Sequence, residues 1–184
     1  MLTKGMSKSE IERELQGKGD FVQIDYLNRF IAQKPPLHEK KFAFIKLIEI
    51  YETKKMFNDV AKIYSNLALL ALSPQEKIDY MIKETKAYIQ GGRFDEADSV
   101  MRRAMDEVTI VRKADIYEDI KRFYRQQAED YEKENKRNHA IKVYEKLLSM
   151  KITDSERNEV KGKLLSLYDQ LGKFREHSAL DKRR

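Results

Sequence analysis

Histidine and the carboxylates are the side chains of this sequence that are best suited to acid–base chemistry or metal binding. The three histidines, His38, His139 and His177, are far apart in the sequence. Each stands near the end of a predicted helix, where a partly exposed imidazole is ordinary. There is no cysteine, and the patterns of P-loops, dinucleotide-binding loops, zinc proteases and serine hydrolases do not occur. We therefore expect a non-enzymatic protein without catalytic residues, metal ligands or cofactors.

Charged side chains are abundant but mixed in sign. The 37 Lys and Arg residues are interleaved with 31 Asp and Glu residues, for a formal net charge of +6. Pairs such as Glu129 and Lys133 have the four-residue spacing that is typical of solvent-exposed helix faces. A denser group of cations lies on one predicted helix, and three more end the chain: Arg112, Lys113, Lys121, Arg122 and Arg125, then Lys182, Arg183 and Arg184. This clustering supports an alternative interpretation as a basic helical protein that binds nucleic acid, such as RNA.

The elements that carry these residues are predicted to be helices. Only 7 Gly and 3 Pro interrupt the chain, and apolar residues recur at steps of three and four. Ser73 with Glu76, and Thr153 with Glu156, have the spacing of a capping box and predict two strong helix starts. The longest predicted helix runs over roughly 25 residues, from about residue 109 to 133.

The N-terminal segment, residues 1–19, has a weaker pattern than the rest. Only Ile11 and Leu15 provide an apolar face for a short helix there. We expect this segment to be weakly ordered and residues 20–184 to form a single domain. Asp20 is predicted to cap the first regular helix of that domain.

The apolar runs of the sequence are short. None approaches the roughly 20 residues that a membrane-spanning helix requires. The first residues lack the apolar centre of a secretory signal. Together with the lack of cysteine, this predicts a cytoplasmic protein without a membrane span.

A repeated unit becomes visible when four tyrosines, spaced by 37, 43 and 37 residues, are aligned. We call them the repeat tyrosines: Tyr51, Tyr88, Tyr131 and Tyr168. Six positions after them come Phe57, Phe94, Arg137 and Phe174, and nine positions after them come Val60, Ala97, Ala140 and His177. A period in this range is typical of helical solenoids, in which stacked helix pairs bury one another's faces. The predicted repeats cover about residues 37–73, 74–108, 109–152 and 153–184.

This pattern resembles the tetratricopeptide repeat. The second repeat carries it best, with Tyr88, Gly92, Phe94, Ala97 and Met101 at the family's tyrosine, turn, aromatic and packing positions. Departures occur where Arg137 replaces the turn aromatic and where His177 replaces a small residue. The resemblance covers about residues 37–180. It implies an all-α fold, a right-handed α-solenoid of about four antiparallel helix pairs preceded by N-terminal helices.

The resemblance also implies which residues line the concave groove of such a solenoid. They stand nine, six and two positions before each repeat tyrosine and one position after it: Phe42, Ile45, Glu49 and Glu52; Asp79, Ile82, Lys86 and Ile89; Arg122, Arg125, Glu129 and Glu132. Such a groove is apolar and acidic at one end and basic in the middle. It implies a non-catalytic scaffold that binds a peptide or amphipathic helix of a protein partner, with an acidic segment near the arginines.

A third interpretation is self-assembly into a homo-oligomer. The last predicted helix, after Phe174, is short and has no polar helix after it. Leu171, Phe174 and Leu180 are therefore expected to be partly open to a second copy.

Overall fold

The chain is helical throughout the part that the structure, a computed structural model, describes, which is residues 2–182. No strand occurs in that part, so the all-α prediction is confirmed. The helices are α1 (Lys8–Leu15), α2 (Asp20–Ala32), α3 (Leu37–Thr53), α4 (Phe57–Leu69), α5 (Pro74–Gln90), α6 (Phe94–Asp106), α7 (Ile110–Lys133), α8 (Arg137–Ser149), α9 (Asp154–Gln170) and α10 (Phe174–Asp181).

The chain divides between Val108 and Thr109 into two compact units. Unit 1 contains α1 to α6 and unit 2 contains α7 to α10. In unit 1 each helix from α2 to α6 packs against the next, and in unit 2 the same holds from α7 to α10. That residues 20–184 form a single domain stays a prediction.

Each repeat tyrosine leads into the same tight turn between two helices. The amide five residues after the tyrosine donates to the tyrosine carbonyl oxygen over 2.8 or 2.9 Å, and the preceding amide donates to the carbonyl of the residue after the tyrosine. This pair of hydrogen bonds is the Schellman motif, which satisfies carbonyls at a helix end. It requires positive φ four residues after the tyrosine, as found at Lys55 (55°), Gly92 (71°), Asn135 (57°) and Gly172 (64°). The tyrosine spacing thus locates four turns of one geometry, although only two of them use glycine there.

The second helices of the first three pairs bury side chains at common positions. Nine, twelve and sixteen residues after the repeat tyrosine, the side chains are buried in all three pairs: Val60, Ile63 and Leu67; Ala97, Val100 and Ala104; Ala140, Val143 and Leu147. Steps of three and four residues put each trio on one face of its helix. Several tyrosines of the repeat are buried as well, namely Tyr51, Tyr144 and Tyr168, while Tyr64, Tyr88 and Tyr131 are half-buried.

The last helix pair buries less than the others. α10 has no buried side chain, and His177 stands half-buried at the position that is Val60, Ala97 or Ala140 elsewhere. Phe174 is 71% exposed, whereas Phe57 and Phe94 at the same repeat position are half-buried. In the described part of unit 2, α10 packs on α9.

The N-terminal segment is built into unit 1, whereas the sequence predicts weak order. Leu2, Ile11 and Leu15 belong to the core of the unit, and Ile11 is 0% exposed. The Leu2 carbonyl accepts a hydrogen bond from Gln33 Nε2 at 3.0 Å, and the Gly5 amide donates to the buried Glu39 carboxylate at 3.3 Å. Helical periodicity does not report these contacts, because they start from residues that precede α1.

Of the two predicted capping boxes, the one of Thr153 and Glu156 forms completely, whereas at Ser73 the Glu76 carboxylate accepts from the Leu72 amide instead of the Ser73 amide. The cap predicted at a third helix start does not form. The hydroxyls of Ser73 and Thr153 accept from the amides three residues later, at 3.1 and 3.2 Å. Asp20 does not cap α2, because it is the first helical residue. The N-cap position is taken by Gly19, which has no side chain to accept a capping hydrogen bond. Its carboxylate instead lies 2.6 Å from the ammonium of Lys54, just after α3.

Candidate partner-binding face

The residues predicted to line a groove in unit 1 lie on α3 and α5. Phe42, Ile45 and Glu49 share one face of α3, because they follow steps of three and four residues. Asp79, Ile82 and Lys86 occupy the equivalent positions of α5. We call these six residues the α3–α5 face.

The face combines exposed apolar groups with charges. Ile45 is 45% exposed, although its neighbours Phe44 and Leu47 are buried in the core. On α5, Ile82 is half-buried and Lys86 is exposed. The face therefore offers apolar contact area that the fold of the unit leaves open.

Ile89, which the sequence assigns to the groove, is 0% exposed. Its side chain is packed away from solvent and does not contribute to an open surface. The equivalent residue of the first repeat, Glu52, is exposed. The residue after the repeat tyrosine is thus exposed on α3 and buried on α5, because its burial depends on which elements pack against it.

The N-terminal helix borders the α3 half of this face. The Lys8 and Lys46 ammonium groups lie 5.7 and 5.6 Å from the centre of the Phe42 ring, within the range of cation–π attraction. Lys46 also pairs with Glu12 of α1 at 3.0 Å and with Glu49 at 3.1 Å. The hydrogen bond to Glu12 raises the pKa of Lys46 above its ordinary value. Among the α3 residues of the face, Phe42 and Glu49 have partners within the unit.

A cavity of about 530 Å³ opens between α1, α2 and α3. Its walls include Leu15, Gln23, Lys46, Glu49 and Ile50. Glu49 therefore lines both the α3–α5 face and this cavity, which places the N-terminal helix directly beside the candidate face.

A salt bridge ties the starts of α3 and α5 together. The Lys41 ammonium lies 2.6 Å from the Glu76 carboxylate, which also accepts from the Leu72 amide at 2.7 Å. The bond from Lys41 lowers the pKa of Glu76. The spacing of this pair relative to the repeat tyrosines occurs twice in the sequence. Lys41 and Lys121 each stand ten residues before a repeat tyrosine, and Glu76 and Glu156 each stand twelve residues before the next one.

In unit 2, Glu156 is the centre of the equivalent arrangement. Its carboxylate accepts from Lys121 Nζ at 3.2 Å, from Arg125 Nη2 at 3.1 Å and from the Thr153 amide at 2.8 Å. The hydrogen bond from the Thr153 amide is the largest cause that lowers the pKa of Glu156 to about 2, and the bonds from Lys121 and Arg125 act in the same direction. Partial burial of the carboxylate opposes them. Burial disfavours the charge of Lys121, but its hydrogen bonds to Glu118 and Glu156 raise its pKa. We call Lys121, Arg125, Thr153 and Glu156 the Glu156 cluster.

The remaining predicted groove residues lie on α7 and are not equally available. Arg125 belongs to the Glu156 cluster and links α7 to α9. The Arg122 side chain is exposed and pairs with Asp119 one turn earlier. Glu129 is half-buried. Of the two arginines expected to meet an acidic partner, Arg122 is the more exposed, with 72% of its side chain open to solvent against 32% for Arg125.

The basic group predicted on the long helix is largely neutralised within unit 2. Lys121 is buried between Glu118 and Glu156, and Arg112 lies 4.0 Å from Asp115. With Arg122 on Asp119 and Arg125 on Glu156, each of these four cations has a carboxylate partner. A row of unpaired cations, which would suit phosphates, is not formed by these four residues. The terminal Arg183 and Arg184 lie outside the described residues.

The three histidines have separate surroundings. His38 lies 3.9 Å from Glu39, His177 lies 3.5 Å from Asp169, and the His139 ring packs on Tyr131 at 5.2 Å between ring centres. Across residues 2–182 there is no group of three or more His, Cys, Asp or Glu side chains that could hold a metal ion.

Comparison of the chain with models of known protein families, with curated proteins and with solved structures finds no match in any of the three. Among the described helices, none has the length and apolar character to cross a membrane.

Proposed function

We propose that this chain is a non-catalytic scaffold of tetratricopeptide-like repeats that binds a peptide or helix of a protein partner on the α3–α5 face. The observation that carries the proposal is the exposure of Ile45 at 45% in the middle of a well-packed helix. Ile82 repeats the same position on α5. Two isoleucines at equivalent places of successive first helices are the candidate apolar anchors for one ligand. The shared turn geometry and packing positions of the helix pairs support the repeat assignment.

The charges around these isoleucines indicate the character of the ligand. Glu49 and Asp79 are acidic, and Lys86 is basic, so the apolar anchors are bordered by both signs. An amphipathic helix with an apolar stripe and a mixed polar rim complements such a surface. A basic residue of the ligand would face Glu49 or Asp79.

The test replaces the apolar anchors by charge. A partner captured by the wild-type protein from its host is identified by mass spectrometry, purified, and titrated by calorimetry. Ile45→Asp with Ile82→Asp is expected to weaken binding at least about tenfold, because buried apolar area contributes about 25 cal/mol per Å². Val22→Asp is the matched control, since Val22 is 46% exposed and lies on α2.

Circular dichroism and urea unfolding of each variant show whether the fold is retained. Equal loss of affinity in the Val22→Asp control, or full affinity in the folded double variant, would rule out the α3–α5 face.

Self-association is a second candidate function, favoured by the exposed end of unit 2. Phe174 is 71% exposed, and the half-buried Leu171 and Leu180 lie on the same helix pair. A second copy covering α10 would bury this apolar group. Sedimentation equilibrium is expected to show a dimer that Phe174→Glu dissociates, while Phe21→Glu, at 72% exposure on α2, leaves it intact. A monomeric wild-type protein at all concentrations tested would exclude this function.

A further inference from the structure

Glu84 on α5 is a buried carboxylate at a position where two of the other three repeats carry leucine and the third carries Gln127. It stands four residues before the repeat tyrosine Tyr88 and is 3% exposed. At the same position, the first and the last helix pairs have Leu47 and Leu164, both 0% exposed. Burying a carboxylate costs free energy that a leucine would not. A charged group at a packing position therefore calls for a reason other than packing.

The interactions of Glu84 within the unit only partly compensate its burial. The nearest cation is Arg103 of α6, at 3.9 Å, which is beyond hydrogen-bond distance, and the Arg103 side chain is 59% exposed. Loss of hydration raises the pKa of Glu84, against the opposing effects of Arg103 and of a hydrogen bond from Ser65. The carboxylate thus retains capacity to accept further hydrogen bonds.

Glu84 lines a cavity of about 320 Å³ between α4, α5 and α6. The rest of the lining consists of Ser65, Ala68, Leu69, Lys77, Met81, Arg103, Asp106 and Glu107. Lys77 is already paired with Glu107 at 2.7 Å, so these two charges compensate each other. The other charges of the lining are Glu84 and Asp106 against Arg103, which leaves an excess of negative charge.

We propose that this cavity binds the aliphatic amine of a ligand, with its ammonium group on Glu84 and its methylene chain along Ala68, Leu69 and Met81. An ammonium has three donors and no acceptor, which suits a carboxylate with open acceptor capacity. Because Glu84 is only 3% exposed, a charged hydrogen bond to it is stronger than one between groups at the surface. The volume is at the lower end of small-ligand pockets, which begin at about 300 Å³. The amine can come from a lysine side chain of a protein or from a free diamine or polyamine.

This site is distinct from the α3–α5 face. Glu84 follows Ile82 by two residues, which places them about 200° apart around α5. Its other walls come from α4 and α6. Variants of either site therefore test it separately, and failure of one proposal leaves the other untouched.

The test uses NMR of the full chain with ¹³C-labelled methionine methyl groups, because the Met81 side chain lines the cavity. The probes are N-acetyl-lysine methylamide, 1,5-diaminopentane and spermidine, with 1-pentanol as the uncharged counterpart. We expect at least one amine to shift the Met81 signal saturably with a Kd of about 1 mM or tighter, and 1-pentanol to bind more weakly. Tighter binding of the lysine analogue would identify a protein lysine as the ligand, and tighter binding of a free amine would identify a diamine or polyamine.

Three variants decide the role of the carboxylate. Glu84→Gln is expected to weaken amine binding at least about tenfold, because a charged hydrogen bond is lost. Glu84→Leu should abolish binding while the protein keeps or gains stability, as leucine occupies this position in two other repeats. Glu52→Gln, an exposed charge change on α3, should bind like the wild type. Unsaturable shifts for every amine, or unchanged affinity in the folded Glu84→Gln variant, would overturn the proposal.

Discussion

The Glu156 cluster makes a quantitative prediction about the stability of unit 2. Glutamine at position 156 has nearly the shape of the protonated glutamate, so Glu156→Gln removes the charge while keeping an acceptor for the Thr153 amide. Lys121 is then left buried with Glu118 as its acidic partner, and Arg125 loses its contact across to α9. The variant therefore reports on the carboxylate charge rather than on packing.

The expected effect follows from the pKa of the carboxyl group. Its ordinary value of 4.5 falls to about 2 in the folded protein. At about 1.4 kcal/mol per pH unit, this difference corresponds to about 3 kcal/mol of stability at neutral pH. The Glu156 side chain is only 20% exposed, so solvent screening reduces this value modestly. We expect Glu156→Gln to lower the free energy of unfolding by about 2–3 kcal/mol at pH 7.

The pH dependence gives an independent check of the sign. Because folding lowers the pKa, the stabilisation is fully present above about pH 5 and is lost as the pH falls toward about 2. At pH 3 about half of it remains, roughly 1.4 kcal/mol. The difference between the wild-type protein and Glu156→Gln should therefore shrink by about half between pH 7 and pH 3.

The assay combines urea unfolding, followed by circular dichroism, with hydrogen exchange of peptides from residues 154–170, which locates the effect in α9. Glu159→Gln is the matched control, since Glu159 is exposed on the same helix and the charge change is identical. A difference of less than about 0.5 kcal/mol between the two variants at pH 7, which is the usual range of surface substitutions, would refute the stabilising role of the Glu156 charge. A difference that does not change between pH 7 and pH 3 would refute the electrostatic explanation.

Three further predictions concern turns and packing, each measured by urea or thermal unfolding. Gly92→Ala should lower the free energy of unfolding by about 1–2 kcal/mol, because Gly92 has a φ of 71°. Gly162→Ala in α9, where an added Cβ meets nothing within 4 Å, should instead raise it by about 0.5–1 kcal/mol. Equal effects of the two substitutions would contradict the turn geometry. Lys55→Gly should stabilise unit 1 by up to about 1 kcal/mol, since Lys55 has a φ of 55°, a left-handed conformation that glycine adopts without the steric cost of a Cβ. A loss of stability would contradict this expectation. Ala140→Leu should cost about 1–3 kcal/mol by overfilling a buried position, while Ala114→Leu on the exposed side of α7 should change stability by less than about 0.5 kcal/mol; similar values would contradict the packing assignment.

Local features of the fold could be predicted from the sequence because they depend on neighbours in the chain. The Thr153 cap of α9 involves residues three apart, and the turns after the repeat tyrosines involve residues five apart. Such hydrogen bonds form within one turn of a helix, so residue type and spacing are sufficient to locate them. Even Lys55 and Asn135, which are not glycine, occupy left-handed positions that the tyrosine spacing marks.

The surface was less predictable, since exposure depends on which helices meet. Ile45 and Ile89 are both isoleucines assigned to one groove, yet one is 45% and the other 0% exposed. Arg125 was expected to meet a partner, but its guanidinium binds Glu156, 31 residues further along the chain. No local pattern distinguishes these cases, because the deciding contact comes from another helix.

By itself, the sequence determined that the chain is helical, where its tight turns lie and which small residues pack in the second helices. These follow from backbone hydrogen bonds and from the 3.6-residue period of the α-helix. Only the tertiary structure decided that the chain divides at Val108, that the N-terminal segment joins unit 1, and that Lys121 and Glu84 are buried. The physical reason is desolvation: the free energy of a charge depends on how much water its neighbours remove, and those neighbours are set by packing rather than by sequence distance.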